Sequence, residues 1–385
     1  MLRFLTAGES HGESLTAILE GFPAGVGIDQ EVINGELARR QKGFGRGQRM
    51  QIEQDRVEIL SGVRGGRTLG SPITLRIRNR DWENWKEVMA VGEVTGDART
   101  VARPRPGHAD LAGGIKYGHK DLRNVLERAS ARETAARVAV GSMAKILLEK
   151  FSVEVLGHVL SIGGSAVSQE KLSRPQVGPA VENSPVRCLD KSVEQEIMER
   201  IEKARSAGET LGGTFQICAF GVPVGLGSYV HWDRRLDADL ARAVMSIPAI
   251  KGVQIGLGFE AARRPGSEAH DAIGFERSTG FRRETNRAGG IEGGVSNGET
   301  IVVEAAMKPI PTLMDPLPSV HFISKRDVSA AVERSDVTAV PAACVIGESA
   351  VALVLANHVC AKFGGDSIEE MQRNFQGYVT YVKNV

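Results

Sequence analysis

Apolar and polar positions alternate over several short runs of the chain. In "SLTAILEG" (14–21), "RVEILSGV" (56–63), "SPITLRIRN" (71–79), "GTFQICAFG" (213–221) and "ETIVVEAAM" (299–307), aliphatic and β-branched residues sit between glycine or proline boundaries, and each run predicts a short strand. Elsewhere the period lengthens to that of a helix. "DQEVINGELARRQ" (29–41) places Ile33 and Leu37 on one face behind a capping Asp29, and "ARETAARVAVGSMAKILLEKF" (131–151) stays apolar at helical spacing for several turns. A third helix, from about Pro341 to before Gly364, is apolar nearly all round, which predicts burial in the fold or in an interface. The mixture reads as α+β, without the regular beat of a doubly wound sheet.

One pattern occurs twice. "EGFPAGVG" (20–27) and "FGVPVGLG" (220–227) share Gly-x-Pro-x-Gly-x-Gly after a strand, and each precedes a predicted helix containing Leu-Ala-Arg, at 37–39 and 240–242. The echo reads either as an internal duplication or as two strand exits with the same turn chemistry. No low-complexity linker separates the halves, so residues 1–385 are expected to form a single domain.

Composition narrows the partners. With 48 Lys plus Arg against 47 Asp plus Glu, no global field draws the chain to nucleic acid or to an anionic membrane, and any anion site must be local. Aromatic residues at 5% are too few for the stacking platforms of a single-strand RNA binder. The four cysteines, Cys188, Cys218, Cys344 and Cys360, have no metal-like spacing, which fits a reducing, cytoplasmic setting. The first residues turn polar too soon for a signal peptide, and no apolar run approaches the roughly 20 residues of a membrane span.

Candidate chemistry is concentrated in a few segments. "AGESHGES" (7–14) sets His11 beside Ser10; a Ser-His hydrolase is disfavoured, because neighbouring side chains point apart and no nucleophile elbow is present. "ARRQKGFGRGQR" (38–49) carries Arg39, Arg40, Lys42, Arg46 and Arg49 without an acid and runs into a glycine loop, either a solvated basic face or a flap over an anion. "RPRPGHAD" (103–110) repeats the arginine plus Gly-His combination around Arg105 and His108, and "LERASARETAARV" adds Arg128, Arg132 and Arg137. Ser130 and Glu133 have capping-box spacing, so a helix opening at Ala131 would offer free N–H groups to a phosphate. "GGIEGGVSNG" (289–298) precedes a strand and is therefore neither a dinucleotide fingerprint nor a P-loop. Lys308 in "KPIPT" (308–312) and Asp336 in "ERSD" (333–336) are a candidate cation and a candidate base.

Taken in order, "GESHG", "ELARRQKGFGRGQRM", "RPRPGHADL", "RNVLERASARETAARVAVG", "MSIPAIKGVQIGLGFEAA", "GGIEGGVSNG", "MKPIPTL" and "ERSDVTAVPAA" resemble the motifs of the chorismate synthases over most of the chain. The resemblance implies a fold with helices sandwiched between antiparallel β-sheets and a homotetramer. It implies a carbon–oxygen lyase that converts 5-enolpyruvylshikimate 3-phosphate to chorismate by anti 1,4-elimination of phosphate, the last common step towards the aromatic amino acids. Reduced FMN is required without net redox change; NADPH is a candidate reductant, and a separate flavin reductase a candidate partner. By the same resemblance His11 serves the reduced flavin and His108 the departing phosphate. Asp336 draws the C6 proton away through flavin N5, and Ser10 and Ser130 help set the site. FMN contacts fall to Arg128, Ala129, Ser130, Pro248, Ala249, Gly293, Lys308, Pro309, Ile310, Pro311, Thr312 and Arg334. Substrate or NADP contacts fall to Arg40, Arg46, Arg49, Arg105 and Arg132. Ala129 and Pro248 stand where the family more often has serine and asparagine.

Overall fold

A computed structural model describes residues 1–47, 54–94, 99–167, 178–277, 280–333 and 336–385. The chain opens with β1 (Arg3–Ala7) and β2 (Ser14–Glu20), then α1 (Gln30–Gln41), β3 (Val57–Ser61), the short β4 (Val63–Arg64) and β5 (Arg67–Thr68), and β6 (Ile73–Arg78). A long connection carrying α2 (Asp110–Tyr117) and α3 (Arg123–Ala129) leads to α4 (Thr134–Glu149). The same order then returns. It comprises β7 (Glu154–Ile162) with a short β8 (Ser165–Ala166), an inserted α5 (Lys191–Ser206), β9 (Gly213–Phe220), α6 (Leu236–Met245) and β10 (Ile250–Ile255). An inserted hairpin, β11 (Ile273–Glu276) and β12 (Gly280–Arg283), precedes β13 (Ile291–Glu292), β14 (Val295–Ser296), β15 (Ile301–Met307), α7 (Val340–Phe363) and α8 (Ile368–Lys383).

Both main sheets are antiparallel, ordered β1-β2-β6-β3 and β7-β9-β15-β10, with β8 outside β7. Each half therefore builds the same four-strand topology followed by one long helix, with α8 added after the second, and four helices, α1, α4, α6 and α7, lie between the sheets. The predicted strands and helices all form, with α1 capped by the Asp29 side chain on the Glu31 N–H. Elements without a sequence signal here include the edge strands β1 and β10, the strand β7, the β11–β12 hairpin and the helices α2, α3, α5 and α8.

Hydrogen bonding decides between duplication and shared turn chemistry. In one half the Thr68 hydroxyl donates to the Pro23 carbonyl (2.6 Å) and accepts from the Val26 N–H (3.0 Å); in the other Ser296 does the same with Pro223 (2.6 Å) and Leu226 (2.8 Å). Gly25 and Gly225 each donate 2.8 Å bonds to the carbonyls of those two residues. The hairpins that carry them turn through Gly65-Gly66 and Gly293-Gly294, all four at positive φ, as a two-residue turn between twisted strands requires. Two turns sharing only local chemistry would not share partners some 40 and 70 residues away, so the halves are a structural duplication.

The two long helices meet at the centre. A Cβ on Gly141 of α4 would lie 2.3 Å from the Ser349 Cβ and 2.7 Å from its Cα on α7, so the backbones approach as only glycine allows. α7 is by length and composition long and apolar enough to cross a membrane, against the expectation from uninterrupted runs, but 78% of its most apolar window is buried in the protein. It also carries a buried charge. Glu348, fully enclosed, accepts from Arg39 (2.8 Å), Lys145 (2.5 Å), Arg187 (3.0 Å) and the Gly157 N–H (2.9 Å). Burial pushes this carboxyl up, yet the three cations outweigh it and hold it down at about 2.

Two outcomes are expected. Gly141→Ala gains up to ~1 kcal/mol of helix propensity but forces overpacking of about 1–3 kcal/mol, so the denaturation midpoint falls, and Ser349→Gly in the same chain recovers part of it. Glu348→Gln destabilises by about 3–5 kcal/mol at neutral pH, because Arg39, Lys145 and Arg187 lose the one fully buried carboxylate they share and keep only the partly exposed Glu36 and Glu182. The wild-type contribution of Glu348 is present above the unfolded carboxyl value near ~4.3 and is lost as pH falls towards the folded value, so the variant's acid denaturation curve is flatter across that window.

Candidate active site

The connections at one end of the sandwich enclose a cavity of about 990 Å³. Equivalent connections of both halves build it. From α1 to β3 come Arg46 and Gly47, and from α6 to β10 come Ile247, Pro248 and Ala249; the β6–α4 connection gives Trp85, Arg105, His108 and Ala129 to Arg132, and the β15–α7 connection gives Lys308, Ile310 to Thr312 and Asp336. Ser10 and His11 enter from the β1–β2 loop. Thr134 and Ala339, Ala342 and Ala343 show that the first turns of α4 and α7 also face this space, so two helix N-termini turn the positive ends of their dipoles towards it.

The wall is cationic. Arg40, Arg46, Arg99, Arg105, Arg132 and Lys308 line it against three carboxylates, Asp81, Glu333 and Asp336. Each inner guanidinium is held by acids or oxygens. Asp55, behind the wall, bridges Arg40 (3.2 Å) and Arg132, whose Nε also donates to the Asn79 oxygen (3.0 Å). Arg40 donates further to the Thr134 hydroxyl at 3.1 Å; burial pulls its guanidinium down to about 10, against the support of Asp55, which still leaves it protonated at neutral pH. Arg105 binds Asp110 (2.8 Å) and the Thr312 hydroxyl (3.0 Å). Arg46 pairs with Asp336 (2.7 Å), whose other oxygen accepts the Gly47 N–H (2.6 Å), so the glycine-rich flap is tied to the start of α7.

Both histidines rest on buried carboxylates. His11 Nδ1 lies 2.9 Å from Glu127, which also accepts the His11 N–H (2.8 Å) and a bond from Arg123 (3.1 Å). The imidazole stacks on Trp85 at 3.8 Å between centroids, with the Arg99 guanidinium 4.1 Å from the Trp85 ring centre. His108 Nδ1 lies 2.6 Å from Asp110. Burial pushes both carboxyls up; the bonds from His108 and Arg105 outweigh it at Asp110, and those from His11 and Arg123 at Glu127, so both stay below the usual carboxylate range. The Ser10 and Ser130 hydroxyls meet at 3.1 Å, and Ser130 caps the turn by accepting the Arg132 N–H. Glu133 does not complete a capping box, being drawn to Thr6 (2.7 Å) and Arg137 (3.0 Å).

Strain and desolvation mark the opposite wall. Ala249 has φ +68, a conformation costing a non-glycine residue about 1–3 kcal/mol. Its carbonyl accepts the Lys308 N–H at 3.0 Å. The Lys308 ammonium donates to the Gly107 carbonyl, and burial, followed by repulsion from Lys251, lowers its pKa.

Three residues expected to touch FMN are not among those that line this cavity. Arg128 turns to the Thr6 and Gly8 carbonyls (2.9 and 3.1 Å) and is not part of the cavity wall. Gly293 occupies the β13–β14 turn, where the duplication already requires glycine, and Pro309 also stands outside the lining. Arg49 and Arg334 lie outside the described residues. Sequence reasoning overlooked Glu127, Asp110, Asp55 and Trp85. Asp110 stood two places from His108 in a motif already singled out, and Glu127 four places after Arg123; Asp55 and Trp85 carry no local signal.

A family model described as chorismate synthase matches residues 2–360. The chain is 58% identical over 385 residues to a protein named chorismate synthase from Moorella thermoacetica, and 57% identical over 392 residues to one of that name from Geotalea daltonii, with all of each chain covered. A solved structure described as a crystal structure of chorismate synthase superimposes with a TM-score of 0.81 at 45% identity, covering 100% of this chain and 99% of that one. With its duplicated sandwich and cationic two-histidine cavity, the chain belongs to the chorismate synthase family of carbon–oxygen lyases.

Proposed function

We propose that the cavity performs the anti 1,4-elimination of phosphate from 5-enolpyruvylshikimate 3-phosphate to chorismate with reduced FMN bound beside the substrate. The observation that carries this reading is that His11, His108 and the four guanidiniums of Arg40, Arg46, Arg105 and Arg132 line one partly open cavity. The substrate brings two carboxylates and a phosphate, and such anions are matched by fixed guanidinium forks.

The residues fit a flavin. A volume of about 990 Å³ stands at the upper end for ligand pockets and suits two molecules together. The apolar wall of Leu126, Ala129, Ile247, Pro248, Ala343 and Ile346 suits a flat ring, with Ser130, Ala249, Lys308 and Ile310 to Thr312 at its polar margin. When bound, reduced FMN supplies an electron-rich ring that lends density to the substrate and recovers it. His108, beside Arg105, holds a proton for the departing phosphate oxygen, and His11 holds one for the reduced ring. Asp336 accepts the C6 proton once a substrate carboxylate takes over Arg46. The exposed aromatics Tyr229, Trp232, Phe259, Phe275 and Phe281 support assembly with further copies of the chain.

Anaerobic incubation with 5-enolpyruvylshikimate 3-phosphate and chemically reduced FMN is expected to release phosphate and chorismate in equal amounts. Phosphate without chorismate, or neither product, would count against the reading. His11→Ala and His108→Ala are expected to lower turnover roughly 100-fold or more while leaving the affinity for reduced FMN within about threefold. Near-normal turnover of both at saturating reduced FMN would remove the proton-donor assignment.

A further inference from the structure

Two imidazoles face one cavity from different loops, and each has its Nδ1 on a carboxylate that is almost wholly buried, 1% exposed at the Glu127 side chain and 0% at Asp110. The two arrangements are built differently. Glu127, on α3, chelates His11 by taking both its backbone N–H and its ring Nδ1, which fixes the loop and the ring together. Asp110, at the start of α2, takes His108 Nδ1 on one oxygen and the Arg105 backbone N–H and Nε on the other. An ionised carboxylate only accepts, so a contact to it places the proton on Nδ1 and leaves Nε2 bare; at His108 the Arg105 guanidinium also stands 3.0 Å from Nδ1 and 3.4 Å from Nε2, and the shorter 2.6 Å contact with Asp110 favours the proton on Nδ1 there too. An isolated imidazole has no such constraint. Arg123 on Glu127 and Arg105 on Asp110 keep both carboxylates ionised despite burial, so the orienting groups do not take up the proton themselves.

We propose that Glu127 and Asp110 are positioning residues that set one ring tautomer in His11 and His108, so that both present Nε2 to the ligands. The assignment rests on the proton-delivery roles given to these histidines above. Trp85 adds a face-on wall to His11, whereas among the described residues His108 is held by Asp110 and Arg105.

The test is nitrogen-15 NMR of histidine-labelled whole protein without substrate or flavin, with signals assigned by His11→Ala and His108→Ala. Wild type is expected to give Nδ1–H, Nε2-bare rings at both positions in the neutral form. In Glu127→Gln and Asp110→Asn an amide N–H can donate to Nδ1 and reverse the tautomer. Turnover is expected to fall by about 100-fold or more in each, with KM for the phosphate substrate changed less than about threefold. Wild-type rings carrying the proton on Nε2 would overturn the proposal even if neither variant folds, as would a reversed tautomer with turnover within about threefold of wild type. The spectra do not require catalysis. A wild type that shows the expected tautomers but forms no chorismate would therefore sink the functional reading and leave the ring assignment standing.

Discussion

The close crossing of α4 and α7 is the constraint on which the rest of this molecule depends. Gly141 against Ser349 lets two helix backbones come nearer than side chains ordinarily allow, and each helix is the last element of one repeat. Once they are in contact, the two sheets are held on opposite sides, and the connections at one end of each repeat are brought face to face. Neither repeat makes the cavity alone: the flap residues Arg46 and Gly47 come from the first, their counterparts Pro248 and Ala249 from the second. The duplication thus supplies two helix N-termini to a single site, which doubles an electrostatic preference for anions that one helix supplies weakly.

The second theme is how positive charge is kept in a partly closed space. An unpaired buried guanidinium would be costly, and a fully neutralised one would have little to offer a ligand. The solution is one carboxylate between two cations at Asp55, and carboxylates at Asp110 and Asp336 that each occupy only part of a guanidinium. The donors are in place before anything binds, so little reorganisation is left for the reaction itself. Glu348 applies the same rule in the core, where three cations and a backbone N–H surround one carboxylate and no ligand need be accommodated.

Much of the fold was legible locally. β2 and β6 alternate because each has one face on α4, and α1 buries Ile33 and Leu37 at helical spacing. β1 was not legible because it is an edge strand with exposed apolar side chains, and its place is set by pairing with β2 rather than by its own pattern. For the site, the arginine and histidine segments were visible as residue types. The acids that orient them were not, because a single Asp or Glu among 47 looks the same whether it faces water or a buried imidazole.

The sequence by itself determined five of the sheet strands and the helices α1, α4 and α7, the repeated turn chemistry, the family resemblance and which basic residues were available, since these depend on neighbours along the chain. Only the tertiary structure decided that the echo was a duplication, that Arg128 and Gly293 stand off the cavity wall, and that Glu127 and Asp110 stand behind the histidines. The physical reason is that hydrogen bonds across 116 residues, as between His11 and Glu127, exist only after helices and sheets have packed, and no local pattern encodes them.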